Sequence, residues 1–310
     1  MHISSKGYPL FVIICYIFIA SLFSTMTYKR NLLWKDKVVL WTDVLKKSPE
    51  KARPHLNYGS AHYREGNIDK AIDEYKIAIK LNPNYPLAHS NLGGAYARSG
   101  QLDEAIKELR IAIELRSDFS EAYYNLGLVL IMNGQLSEAI NELRTAIILK
   151  PDYPEAHYDL GRTLAKNGQL SEAINELRKT IILKPNFPEA HYDLGLTLAK
   201  NGQLSEAIDE LQTVIMLKPD SPEVHNALGV VYGKQGLFNE AIKEFINAVN
   251  IKPVFVEAHY NLALAYRKKG WMDKALTEYQ IVAKLRPDMS DVQKNIKELE
   301  YMLDKQKTTK

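Results

Sequence analysis

The heptapeptide EAHYDLG occupies residues 155–161 and returns letter for letter at residues 189–195. A histidine, a tyrosine and an aspartate set this close could begin a catalytic or metal site. The same letters written twice, 34 residues apart, argue for a scaffold instead. The step continues outward in both directions. Gly66, Gly100, Gly134, Gly168, Gly202, Gly236 and Gly270 keep it, and so do the alanines that follow five residues later, from Ala71 to Ala275. Prolines keep it at Pro83, Pro151, Pro185, Pro219, Pro253 and Pro287, with Ser117 in the missing place. A fixed period of roughly 20–50 residues marks stacked units, because one such unit cannot bury its apolar face alone.

Each unit reads as two helices. In residues 154–187, Pro154 suits the first helical position, where its missing N–H costs nothing. Tyr158, Leu160, Leu164 and Ala165 form an apolar stripe at helical spacing, and Gly168 supplies the left-handed residue that ends the helix. Ser171 is expected to cap the second helix, as are Asp69, Asp103, Ser137, Ser205, Asn239 and Asp273 in the other units. The second helix should turn Ala173, Ile174, Leu177, Ile181 and Leu183 inward and stop at Pro185. Gly161 and Ala173 are small enough to let the two backbones approach.

Leu-Gly, Gly, Ala and Pro in this order at this period resemble the tetratricopeptide repeat (TPR) family, over residues 52–289. The resemblance implies an all-α fold, a right-handed superhelix or α-solenoid of seven repeats: 52–85, 86–119, 120–153, 154–187, 188–221, 222–255 and 256–289. Residues 290–310 read as a capping helix and tail, with Val292, Ile296, Leu299 and Leu303 on one stripe and a polar opposite face, as a terminal repeat requires.

The histidines belong to the repeat. His55, His89, His157, His191, His225 and His259 share its fourth position, and Tyr123 takes the remaining one. In the family that position usually holds a bulky packing residue. Stacked helices lie about 8–10 Å apart, so histidines one repeat apart cannot share a zinc ion whose ligands sit at about 2 Å. Asp159 and Asp193 point to another helical face and read as scaffold too. No phosphate-cradling glycine loop, metal-ligand spacing or nucleophile beside a base is present, so no catalytic residue, metal or cofactor is expected.

A solenoid of this kind presents a concave surface lined by the first helix of each repeat. The resemblance assigns ligand contacts there to a protein or extended peptide. The matching residues are Asn57, Asn91, Asn125 and Asn261 at the sixth position, and Tyr124, Tyr158, Tyr192 and Tyr260 at the fifth. Arg64, Arg98, Lys166 and Lys200 stand at the thirteenth. The asparagine row resembles the ladder of O-GlcNAc transferase, which can bond a peptide backbone, although Asp159, Asp193 and Ala227 interrupt it. A plainer reading gives the basic residues to the helix dipole, with Glu121, Glu155, Glu189, Glu223 and Glu257 at the opposite ends. The family's clamp for a C-terminal carboxylate needs lysine at the fifth position, and none stands there.

The first residues differ in kind. Residues 8–28 hold no charge, and as a helix they would measure about 31 Å, the thickness of a bilayer's hydrocarbon core. An uncleaved single-pass membrane helix is the expectation. The alternatives are a signal peptide, for which Leu22 and Ser24 make a poor cleavage site, and a lipoprotein signal, for which Cys15 wrongly follows Ile14. Residues 1–7 form a short tail. Residues 29–51 read as a juxtamembrane half-repeat, with Trp41 and Val44 at core places of a second helix. Thr27, Arg30, Asn31, Trp34, Leu40, Trp41, Pro49 and Arg53 resemble the junction of transmembrane O-mannosyltransferase-like proteins with C-terminal TPRs, and of their bacterial relatives.

Lys29, Arg30, Lys35 and Lys37 after the helix outweigh Lys6 before it and place the repeats in the cytoplasm. The junction resemblance implies the opposite side. Overall the chain has 310 residues, 46% hydrophobic and 25% charged, with a net charge of +3 and no basic footprint for nucleic acid. Cys15 is the only cysteine, so no internal disulfide is available. Three functional readings follow. The first is a membrane-anchored, non-enzymatic scaffold with a partner in its groove. The second is a non-catalytic, acceptor-presenting subunit of a membrane O-glycosyltransferase system, with a multi-spanning partner. The third is a homo-oligomer that organises by self-association.

Overall fold

The computed structural model describes residues 10–308, with side chains for 14–28 and 36–305. Among these residues the chain is all helical. One compact unit, Met1–Gln135, contains α1 (Leu10–Lys35), α2 (Lys37–Lys47), α3 (Ala52–Arg64), α4 (Ile68–Leu81), α5 (Pro86–Arg98), α6 (Leu102–Leu115) and α7 (Ser120–Met132). A second unit, Leu136–Lys310, contains α8 (Leu136–Leu149), α9 (Pro154–Lys166), α10 (Leu170–Leu183), α11 (Pro188–Lys200) and α12 (Leu204–Leu217). It continues with α13 (Pro222–Lys234), α14 (Phe238–Ile251), α15 (Val256–Lys268), α16 (Met272–Leu285) and α17 (Ser290–Thr308). Within each unit, successive helices pack against one another.

All seven period-keeping glycines have positive φ, from 76° at Gly270 to 86° at Gly202. Each ends a first helix with the same wrap: the Gln101 N–H, for example, donates to the Tyr96 carbonyl at 2.9 Å. The chain then enters the second helix at once, and this corrects the capping expectation. The N-cap places are Asn67, Gln101, Gln169, Gln203, Leu237 and Trp271, none with a side-chain cap. Ser171 and its equivalents lie inside the first turn. There the acidic ones, such as Asp69 and Asp103, still face the positive end of the dipole.

The small residues do what their size suggests. A Cβ on Gly161 would stand 2.8 Å from Leu177 Cγ and 3.3 Å from the Ala173 carbonyl, so only glycine lets α9 approach α10 this closely. Ala173, Ile174 and Leu177 are buried and Ile181 is partly so. Leu183, expected inward, is exposed as the last residue of α10. Thr180 fills the buried place instead, its hydroxyl donating to the Glu176 carbonyl at 3.0 Å. At the far end, α17 buries Val292 and Leu299, and Arg267 reaches it through Asn295 at 3.1 Å and Glu298 at 2.7 Å.

Toward the start of the chain, Asp36 caps α2 by accepting from the Val38 and Val39 N–H groups at 2.9 and 3.1 Å, and α2 packs against α3. The expected anchor begins at Tyr8, outside the described residues. Among the described residues no helix is long and apolar enough to cross a membrane. The described apolar side chains of α1 run only from Ile14 to Tyr28, about 22 Å of helix at 1.5 Å per residue.

Candidate functional site

The six histidines are structural clamps. In each repeat the imidazole Nδ1 meets the carboxylate found 19 residues on: His55 with Glu74, His89 with Glu108, His157 with Glu176, His191 with Glu210, His225 with Glu244 and His259 with Glu278, at 2.5–2.7 Å. The Nε2 of each lies 2.8–3.2 Å from the carbonyl of the proline six residues before, as in His157 with Pro151. Each ring thus joins its own helix, the second helix of its repeat and a proline carbonyl in the loop that precedes the repeat. Both nitrogens are committed to protein oxygens, which leaves none to ligate a metal. Among the described residues no cluster of His, Cys, Asp or Glu could hold one.

Glu176 shows the electrostatic balance. Burial pushes its carboxyl up, but hydrogen bonds from His157 and Lys179 outweigh this and hold it below the usual range. The glutamate partners went unnoticed in the sequence, although their own 34-residue step, Glu74, Glu108, Glu176, Glu210, Glu244 and Glu278, was there to be found.

In the first unit the expected groove residues meet. Arg64, Asn91 and Asn125 line a cavity of about 300 Å³ with Ser60 and Tyr63, contributed by α3, α5 and α7. Asn91 donates to Ser60 Oγ at 3.3 Å, and the Tyr75 hydroxyl donates to the same oxygen at 3.2 Å. Arg98 donates to the Tyr63 carbonyl at 2.9 Å and covers the Tyr63 ring at 5.0 Å. Asn57 and Tyr124 are half-buried on α3 and α7.

The second unit is chemically different. Tyr158 donates to Asp193 at 2.7 Å, and Arg162 pairs with the same oxygen at 3.2 Å. Burial first, and then Asp193, raise the Tyr158 hydroxyl well above its ordinary range. Asp193, read as scaffold from the sequence, therefore sits at the centre of a polar network. Lys166 and Lys200 line one cavity beside it, of about 270 Å³, while Tyr158 and Tyr192 line another, of about 290 Å³. Tyr260 packs edge-on against Tyr279 at 5.8 Å, and Asn261 donates to Asn226 at 2.9 Å, so both are tied up within the stack.

The TPR family profile matches residues 59–100, 95–134, 131–168, 161–202, 197–236 and 234–270, and a tetratricopeptide repeat profile matches 256–289. The chain belongs to the tetratricopeptide repeat family. Among solved structures it is similar to YrrB, described as a TPR protein with an unusual peptide-binding site. Identity there is 26%, covering 59% of this chain and 95% of that one, with a TM-score of 0.56. It is also similar to MamA, at 32% identity over 52% of this chain and 94% of that one, TM-score 0.50. The C-terminal part of a TPR protein from Cytophaga hutchinsonii shares the fold at 17% identity, covering 78% of this chain and 99% of that one, TM-score 0.66. No curated protein matches.

Proposed function

We propose that this TPR chain is a membrane-anchored scaffold that captures an extended peptide or protein segment, with no chemistry of its own. The observation that carries the reading is the convergence of Arg64, Asn91 and Asn125 from three successive first helices on one cavity. Side-chain amides in such a row present donors and acceptors at the repeat spacing, which suits the backbone of an extended chain. The similarity to YrrB, whose description names a peptide-binding site, points the same way.

The anchor is part of the proposal. Residues 8–28 carry no charge, and on α1 Tyr16, Phe18 and Phe23 are 70, 68 and 62% exposed. An apolar surface of that extent needs cover, and a bilayer supplies it. The glycosyltransferase-subunit reading draws on the junction residues alone, and no feature of the helices favours it.

The test begins by screening the detergent-solubilised full chain against a random dodecapeptide library. The selected peptide is then measured against wild type and the Asn91→Ala/Asn125→Ala variant. Losing hydrogen bonds to two half-buried amides should weaken binding by about tenfold or more while helicity is unchanged. An unchanged Kd refutes the groove.

A further inference from the structure

The residue that closes each repeat also stands at the N-cap place of the next first helix, and it is almost always large. Tyr85, Phe119, Tyr153, Phe187 and Phe255 hold this place, with Met289 at the end of the array. Ser221 is the exception, on the same backbone position at the start of α13.

Phe187 has two close neighbours. Its ring centroid lies 4.8 Å from that of Tyr158, and the Lys184 ammonium stands 4.6 Å from it. The lysine half of this arrangement recurs as Lys150 over Tyr153 at 4.3 Å and Lys252 over Phe255 at 4.9 Å.

In residues 188–221 the two neighbours remain as Tyr192 and Lys218, but the ring between them is missing. The vacated space is the cavity of about 290 Å³, whose walls include Tyr192, Lys218, Ser221, Val214, Val224 and Pro188. Lys218 holds Glu189 at 2.5 Å. The equivalent pairs that also cover a ring are longer, Lys184 with Glu155 at 3.9 Å and Lys252 with Glu223 at 3.5 Å.

We propose that this cavity is a socket for an aromatic side chain supplied by the bound peptide, seated between Tyr192 and Lys218 as Phe187 is seated between Tyr158 and Lys184. The proposal rests on the peptide-binding reading and sharpens it, since it names the side chain the peptide must carry. The chemistry selects the ring. Tyr192 offers an aromatic face for an edge or offset contact, Lys218 offers a cation for the opposite face, and the valines and proline supply an apolar wall. An aliphatic side chain would fill the space without using either face.

The experiment uses the full chain in detergent and N-acetylphenylalaninamide as probe, with N-acetylalaninamide for comparison, read by saturation-transfer NMR. Two variants accompany wild type in the same micelles, which corrects for partition of the probe. Ser221→Phe supplies the missing ring from within, and Tyr192→Leu keeps bulk while removing the aromatic face. The expected result is a several-fold stronger signal for the phenyl probe on wild type, reduced to the alanine level in both variants, with a raised Tm for Ser221→Phe. A wild-type signal no greater than the alanine level overturns the socket, as does full binding by either variant. If Ser221→Phe does not fold, Tyr192→Leu decides. Peptides captured without aromatic preference, with a probe signal indifferent to the variants, would sink the socket alone. A working socket with no peptide recovered from the library would sink the groove alone.

Discussion

Helix α13 carries two glycines, one turn apart, that should respond oppositely to the same substitution. A Cβ on Gly229 would lie 2.6 Å from Phe245 Cε1 and 2.7 Å from its Cδ1, while one on Gly233 meets nothing within 4 Å. Phe245 is itself buried, so its ring has little room to retreat and α13 must lift away from α14. Overpacking of this kind costs about 1–3 kcal/mol. Replacing a helical glycine with alanine returns about 0.5–1 kcal/mol through backbone entropy. Gly229→Ala should therefore destabilise the second unit by up to about 2.5 kcal/mol, and Gly233→Ala should stabilise it by up to about 1 kcal/mol. Native-state hydrogen exchange of the α13 and α14 amides is the assay, because a stacked-repeat protein opens locally and a single melting temperature averages over that. Shifts of the same sign in the two variants would refute the argument from close packing.

Acid should loosen the fold by two routes. His62 is buried, with its Nε2 unpartnered, and burial first and Lys70 second depress its protonation, against the opposing pull of Glu65 and Glu74. Below its ordinary value of 6.5 the unfolded chain takes a proton that the fold resists, so stability falls with pH from there. Glu176 adds a second loss: its contribution is complete above the ordinary 4.5 and disappears as pH falls through the lower folded value. Thermal melts from pH 8 to 3 should show the decline, and His62→Leu should flatten its upper part. Gly168→Ala, at a φ of 85°, should cost about 1 kcal/mol or more through left-handed strain, although nothing obstructs the methyl. Urea titration of that variant checks it, and an unchanged midpoint would count against the strain. Protease added to intact spheroplasts should spare the C-terminus if the basic residues after α1 set the topology. Digestion would favour the side implied by the junction resemblance.

What was readable in the sequence depended on how directly backbone geometry dictates residue type. The glycines at 66, 100 and onward were legible because a left-handed residue at every first-helix end admits little else. The second-helix starts were misplaced because those same glycines hand the chain straight into the next turn, leaving Ser171 and Asp69 inside the helix. The histidines were legible as members of the repeat, but their carboxylate partners stand on another helix, 19 residues away, where one-dimensional periodicity along a single helix does not look. Four tyrosines and four asparagines shared two columns, yet packing divided them. Asn91 and Asn125 line a cavity, whereas Tyr260 and Asn261 are spent on neighbours. Ser221 drew no notice because an absent ring has meaning only beside the rings that are present.

The histidine clamps change how such a chain comes apart. A nearest-neighbour array is held by two kinds of energy, that within a repeat and that between repeats, and the second alone makes distant repeats open together. Each clamp contributes to both, through the glutamate inside its repeat and the proline carbonyl of the repeat before. Acidifying one carboxylate or deleting one ring therefore weakens a hinge in the cooperative block as well as its own repeat, and unravelling should begin there. The sequence already contains one interruption of this kind. In residues 120–153 Tyr123 stands at the histidine place, and Ser117 stands at the preceding proline place.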